Sequence, residues 1–552
     1  MSARLPVFLL IGILAVAVAV RLYGLTYGLP YFYNADEAQV VLRALGMGTG
    51  DLNPHLFEWP ASPLIYITFT LFGSYYVAGS LLGIFHSVQD FAERMVADPT
   101  VLFILARGFV AITGAASVYL NYLLGRLLFR SQIVGIVAAL FLAVTPFHVE
   151  LSETVRPDVP MILTIQLFLL ACYLLWTRGH LRYYLLAGAL IGLAVAFKYS
   201  AASTPPILLA AHSTRYKPGA FFRRLAHPWI GLGAAASILM FIVATPFSVL
   251  AFPEFARDFL HMPSYIRMEQ PWAVPPVPSW LHLLTDTLPR TMSTVLAVFS
   301  ALGFGWALYR RTPADVILLT GLLSIYVATA LGRIVFPQYG LPFTPFLTLF
   351  AARAVVELLG RLSIAPQLRY GLLGLSIAVV VTQPLLQVAQ QDYTRTQKDT
   401  RTVAKEWIEA NVPAGAKVLM DGGRDFFTVS PPLSYSRSAL ARRMEEARKD
   451  GESGKARYWE TLLQVSGHGG YDLYPIQGDM PHRTVPQIRQ EGFQYVILSS
   501  DIQAPVITGE AIRWDPKADT LYRSLQREAV LIRTFVPAAL QPGPTLWVYR
   551  IP

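Results

Sequence analysis

Two adjacent carboxylates, Asp36 and Glu37, follow the first apolar segment within Tyr31-Phe-Tyr-Asn-Ala-Asp36-Glu37-Ala-Gln39. A carboxylate partly desolvated beside aromatic rings has a raised pKa and makes a usable general base. The pair also reads as a helix N-cap followed by a first-turn acid, because Ala38 to Leu45 has helical character. His55 and Glu58, in His55-Leu-Phe-Glu58-Trp59-Pro60, are of types that ligate a divalent metal or cap a following helix. A third group runs from Thr145 to Pro160 and holds His148, Glu150, Glu153, Arg156 and Asp158 in a turn between two apolar runs. Ionisable residues at a membrane edge tend to be functional, although some only solvate the turn, and Asp158 also suits a cap. The fourth group is cationic: Lys198 in Phe197-Lys-Tyr199-Ser200, and Arg333 in Gly332-Arg-Ile-Val-Phe-Pro-Gln-Tyr339. Such cations hold an anion, a lipid phosphate above all, or snorkel to headgroups.

The elements that must position these residues are membrane helices. Of 552 residues, 54% are hydrophobic and only 14% charged, and the mean hydropathy is +0.44. Soluble domains carry about 25% charged residues, so the composition is that of a membrane protein. The net charge of +10 falls in small groups between apolar runs, not on one face or tail. That distribution orients a chain in a bilayer and argues against nucleic-acid binding. The lone cysteine, Cys172, lies within an apolar run, which excludes an intrachain disulfide and a cysteine metal cluster.

Basic groups set the expected orientation. Arg126/Arg130, Arg178/Arg182, Arg215/Lys217/Arg223/Arg224, Arg310/Arg311 and Arg361/Arg369 are the densest in the hydrophobic part. Between them lie paired apolar runs: 131–146 with 159–176, 183–197 with 200–212, 229–250 with 291–309, and 314–331 with 339–356. Each pair crosses out and back, so every basic group lands inside if 6–20 and 101–124 also span and 62–86 lies in the outer leaflet. The count is then roughly eleven spans, ending with 370–388, with the N-terminus inside and the C-terminus outside. The outer loops are 22–100, 147–158, the turn at Lys198, 251–290 and 332–338. The loop 251–290 is rich in proline and aromatics and serves as a lid or as an interfacial belt.

Beyond residue 389 the composition becomes that of a soluble α/β domain of roughly 160 residues. Thr400 to Asn411 repeats at helical spacing, and Lys417–Met420, Gln494–Leu498, Val530–Phe535 and Leu546–Arg550 read as strands. Asp421-Gly-Gly-Arg424 reads as a strand-end turn more readily than as a phosphate-binding one.

At these residues the sequence resembles GT-C-fold glycosyltransferases of the protein O-mannosyltransferase and aminoarabinose-transferase type, which use polyprenyl-phosphate-linked sugars. The matching parts are Asp36-Glu37 in a long first external loop, Phe57-Glu58-Trp-Pro-Ala-Ser-Pro-Leu64, Ala106-Arg107, Gly125-Arg-Leu-Leu-Phe129 and Arg156-Pro-Asp158. Phe197-Lys-Tyr-Ser200 and the stretch from Arg333 through Tyr339-Gly-Leu-Pro342 complete the set, over about residues 1–390. The resemblance implies an α-helical polytopic membrane protein, with a GT-C catalytic domain over 1–388 and an extracytoplasmic α/β domain over 389–552. It implies a bacterial inner membrane location, with the N-terminus cytoplasmic and the C-terminal domain periplasmic or extracellular.

The implied reaction moves a sugar from a polyprenyl-phosphate donor to the hydroxyl of a lipid, glycan or protein acceptor, with inversion. Asp36 would be the general base, Glu37 would orient the loop, and Asp158 would bind the acceptor or support Asp36. Lys198 and Arg333, with Arg107 behind them, would hold the leaving phosphate. Glu58, His55, Tyr199, Tyr339 and Arg156 are expected on the substrate side. Metal ligation through Glu58 or His55 is an open option by analogy. Trp59 stands where relatives commonly have a lysine, which shifts phosphate binding to the other cations. Two other classes stay in view. An oligosaccharyltransferase of the same superfold would carry a Trp-Trp-Asp type motif in its external domain, and this chain has none. A transporter would place its ionisable residues near the bilayer midplane, within inverted repeats.

Overall fold

The computed structural model describes residues 5–215, 226–268, 275, 277–332, 334–422, 427–467, 469–477, 479–502 and 519–552. The chain falls into two compact units. The first comprises Met1–Leu25, Asn53–Tyr66 and Arg107–Ala389, the second Thr26–Leu52, Ile67–Ala106 and Gln390–Pro552. The second unit thus gathers most of the segment 22–100 with the C-terminal domain.

Among the described residues, seven helices are long and apolar enough to cross a membrane, or up to nine if each of two bent pairs is one span. Six of the seven, Leu5–Tyr23, Thr100–Leu128, Asp158–Arg178, Pro313–Ala330, the segment Pro337–Gly360 and the segment starting at Pro366, coincide with expected runs. The seventh, Ser62–Leu81, qualifies by length and composition although the charge pattern predicts an outer-leaflet segment; from Ile67 onward it groups with the second unit. Two shorter apolar helices, Leu181–Phe197 and Pro228–Ala244, match the runs 183–197 and 229–250. The run 200–212 forms a 3-10 turn, Tyr199–Ser203, and an eight-residue helix, Pro206–Ser213. The Pro205-Pro206 pair explains the break, since neither residue can donate a backbone hydrogen bond.

The bends have local causes. Gln132–Ala143 and Pro146–Ser152 meet at 63°, where Pro146 interrupts the hydrogen-bond ladder. Ser279–Met292 and Thr294–Arg310 meet at 119° about Ser293, whose φ of 81° leaves the helical region. Ser293 Oγ accepts from Leu296 N–H at 3.3 Å and so caps the second segment.

Within this first unit, bare backbones bring helices together. A Cβ built on Gly188 would collide with the Gly233 carbonyl, and one on Gly192 with the Ser237 carbonyl. Leu181–Phe197 and Pro228–Ala244 therefore approach as closely as small residues allow. Buried polar side chains fix register. Ser117 Oγ donates to Gln166 Oε1 at 2.6 Å, and Asn121 Nδ2 donates to Ala138 O and Thr348 Oγ1, each at 3.0 Å. Arg353 pairs with the fully buried Asp315 and, at 2.9 Å, with Glu357. Cys172 is buried in Asp158–Arg178.

The second unit is built on a five-stranded sheet. Its strands are β1 (Lys417–Met420), β2 (Asp472–Pro475), β3 (Tyr495–Ser499), β4 (Val530–Phe535) and β5 (Leu546–Arg550), in the order β2-β1-β3-β5-β4. The strands β2, β1 and β3 run parallel, and β5 and β4 are antiparallel. Alternation sends Val418 and Met420 to one face, under Ala404 and Ile408 of the helix Thr400–Asn411. Leu419, Val496 and Leu498 face the other way, against Val485, Ile488 and Leu521. Three of the four sequence-predicted strands keep their expected bounds and the fourth shifts by one residue; β2, four residues ending in proline, was not anticipated.

Candidate active site

Asp158 opens its helix directly after Pro157, and Lys198 ends the helix Leu181–Phe197 in an extended conformation, φ −159°. Lys198 Nζ donates to Asp158 Oδ1 at 2.6 Å, and Arg156 Nε stands 3.6 Å from Asp158 Oδ2. Asp158 is 1% exposed, and a carboxylate so deep persists only beside cations. Two cations against one acid leave the cluster a net charge of +1. Tyr339 lies within electrostatic reach of Asp158.

The residue after Lys198 ties this cluster to the Asn53–Tyr66 segment. Tyr199 donates its hydroxyl to Phe57 O at 2.9 Å, and its ring meets Phe259 edge-on with centroids 5.3 Å apart. Burial pushes the Tyr199 phenol up, so it remains a donor at physiological pH. Phe259 belongs to the helix Phe252–Met268, which forms part of the expected 251–290 loop; residues 269–274 and 276 lie outside the described residues. The same helix supplies Phe255, edge-on to Phe57 at 5.7 Å, and Glu254, which takes His55 Nδ1 and Asn53 Nδ2, each at 2.8 Å. Glu58 is half-buried and contributes to the field at Arg257 on that helix. His55 is thus committed to Glu254. Among the described residues no three His, Cys, Asp or Glu side chains gather as a metal-binding group.

His148 and Glu153 of the 145–160 turn serve the end of the first helix. Buried Arg21 donates to Ala17 O at 2.9 Å and meets His148 Nδ1 at 3.0 Å. Glu153 Oε1 accepts from Gly24 N–H at 3.1 Å, and buried Arg107 donates to Leu25 O at 2.6 Å. These contacts satisfy backbone groups near the helix end and separate the structural part of the turn from Asp158.

Asp36 and Glu37 lie in the second unit, in the first turn of the helix Ala35–Gly46. The cap is Asn34, extended at φ −132°, whose Oδ1 accepts from Asp36 N–H at 3.0 Å. This corrects the reading of Asp36 as N-cap. Asp36 is half-buried, whereas Glu37 is buried. Arg333 lies outside the described residues. The site residues that sequence reasoning missed are Glu254 and Phe259, which had no signal beyond membership of an aromatic loop.

Comparison with known proteins shows what the chain is similar to. Residues 103–247 match the model of the family described as dolichyl-phosphate-mannose-protein mannosyltransferase. No curated protein sequence matches. Among solved structures, ArnT from Cupriavidus metallidurans bound to undecaprenyl phosphate is 15% identical, with a TM-score of 0.53 over 99% of this chain and 98% of that one. The apo oligosaccharyltransferase of Archaeoglobus fulgidus is 13% identical, with a TM-score of 0.54 over 94% of this chain and 72% of that one. Archaeal AglB from the same organism, in complex with an inhibitory peptide and a dolichol-phosphate, is 13% identical, with a TM-score of 0.51 over 92% and 72%. The chain is a multi-pass α-helical membrane protein with the GT-C fold and a small C-terminal α/β domain.

Proposed function

From the GT-C fold as premise, we propose that the chain is a membrane glycosyltransferase that moves a sugar from a polyprenyl-phosphate donor to an acceptor hydroxyl at the outer face. The observation that carries this reading is the Arg156–Asp158–Lys198 cluster, which lies inside the stretch matching the mannosyltransferase family. The structure of ArnT described as bound to undecaprenyl phosphate supports the donor class.

Asp36 takes the proton from the acceptor hydroxyl as its oxygen attacks the anomeric carbon. The bond from that carbon to the phosphate oxygen breaks, the new glycosidic bond forms on the opposite face, and the configuration inverts. The phosphate leaves with the electron pair, so it needs cations more than an acid. Lys198, held by Asp158, is assigned to it, with Arg333 and, behind them, Arg107, one of whose amino groups also donates to Leu25 O. Tyr199 and Glu58 sit on the sugar side, and Arg156 and Tyr339 complete the polar wall. The likeness to the Archaeoglobus oligosaccharyltransferase keeps a second reading, transfer of a lipid-linked glycan to a peptide. Mass spectrometry of envelope lipids, glycans and proteins from a deletion strain separates the two and names the acceptor. Re-expression of wild type is expected to restore the missing product, and Asp36→Asn to restore about 10²–10⁴-fold less. Near-normal product from folded Asp36→Asn protein overturns the base assignment.

A further inference from the structure

The helix Ala35–Gly46, whose first turn holds Asp36 and Glu37, is held at both ends by C-terminal segments of its own compact unit. At its start, the guanidinium of Arg401 covers the ring of Tyr33, with Cζ 3.9 Å from the centroid, and the Tyr33 hydroxyl meets Thr402 Oγ1 at 2.5 Å. Tyr33 directly precedes Asn34, the cap that fixes the backbone of Asp36. Six residues upstream of Tyr33, Tyr27 donates its hydroxyl to Asp399 Oδ2 at 2.9 Å and accepts from Arg401 Nη2 at 3.2 Å. At the other end, Gly46 and Gly454 meet backbone to backbone, so that a Cβ on Gly454 would lie 3.5 Å from Gly46 Cα.

The grip is itself rigid. Asp399 caps the helix Thr400–Asn411 through Arg401 N–H at 2.8 Å, and accepts Arg401 Nε and Nη2 at 2.8 and 2.6 Å. Arg401 Nη1 donates to Thr428 O at 2.5 Å. Every guanidinium nitrogen is therefore engaged, and both side chains are buried. A bidentate pair with this geometry has one orientation, and lysine could not reproduce it. Burial pushes the Tyr27 and Tyr33 phenols up, so both stay protonated. A brace needed only to hold a fold together has no reason to converge within three residues of the proposed base; a device that orients it does.

We propose that the Asp399–Arg401 pair, clasping Tyr33 and Tyr27, is a positioning device that sets the direction of the Asp36 carboxylate, with Arg401 as its central residue. The C-terminal domain thereby takes part in the reaction without touching the substrate. The consequence for activity rests on Asp36 being the base; the clasp itself does not.

The test uses the full-length chain in detergent. In Arg401→Ala, amide hydrogen exchange across residues 27–40 is expected to speed up by about tenfold or more, while β1 and β3 keep wild-type protection. In the deletion strain, Arg401→Ala is expected to give about 10²-fold less product, and to cause no further loss when added to Asp36→Asn. Tyr33→Phe, which keeps the ring under the guanidinium, is expected to lose less than Tyr33→Leu. If Arg401→Ala unfolds β1 and β3 as well, the Tyr33 pair is read instead. Unchanged exchange at 27–40, or an equal loss in the Asp36→Asn background, overturns the positioning role. Normal product from Asp36→Asn overturns the base assignment alone, because the exchange measurement needs no substrate.

Discussion

Lys198 Nζ donates to Asp158 Oδ1 at 2.6 Å across 40 positions of chain. The cation stands at the C-terminal end of one apolar helix and the carboxylate at the N-terminal end of another, so each charge meets the favourable end of a helix dipole. The bond draws together two motifs that the sequence presents separately.

A pair this deep makes each partner depend on the other. Lys198→Met and Asp158→Asn are each expected to destabilise the purified protein, while the double variant recovers part of the loss. The coupling energy from thermal unfolding of all four proteins should be about 1–3 kcal/mol. Strictly additive losses would show that the two side chains do not stabilise each other.

The contact between Leu181–Phe197 and Pro228–Ala244 leaves no room for a side chain at Gly188 or Gly192. Gly188→Ala and Gly192→Ala should each cost about 1–3 kcal/mol, as overpacking does. Gly231→Ala, where a Cβ meets nothing within 4 Å, should cost far less. Equal melting temperatures for Gly188→Ala and Gly231→Ala would contradict the packing.

Asp421, directly after β1, is fully buried and accepts from Ser499 N–H at 2.8 Å and Tyr522 hydroxyl at 2.9 Å. Burial pushes its carboxyl up to about 7, against the smaller opposing pull of those two donors. The folded state therefore keeps a proton that the unfolded chain releases near pH 4. Stability falls as pH rises through that window, by about 1.4 kcal/mol per unit, and levels off above pH 7. Asp421→Asn carries no such proton, so its stability relative to wild type should grow by about 2–3 kcal/mol between pH 5 and pH 7. A pH-independent difference in denaturant midpoints would rule this out.

What could be read from the sequence follows from the range of each interaction. Transfer into a bilayer acts residue by residue along a window, so the apolar runs translate into helices with few changes. The run 200–212 departs because Pro205 and Pro206 act on hydrogen bonds, which a hydropathy window does not weigh. Strand alternation is equally local, and β4 and β5 keep their expected bounds. At the helix start, Asn34 and Asp36 are comparable capping types, and only the extended backbone of Asn34 decides between them. The pairing of His55 with Glu254 and of Tyr27 with Asp399 spans 199 and 372 positions, beyond any local pattern. Residue types thus mark the chemistry, whereas the partners of each group depend on tertiary approach.

The burial of Cys172, the one cysteine of the chain, has a practical consequence. A membrane-impermeant maleimide added from either side meets no accessible native thiol. Cysteines placed singly at exposed positions such as Gly48 and Ala539 can therefore be labelled without first removing the native one. The protein comes ready for mapping which compartment each loop faces.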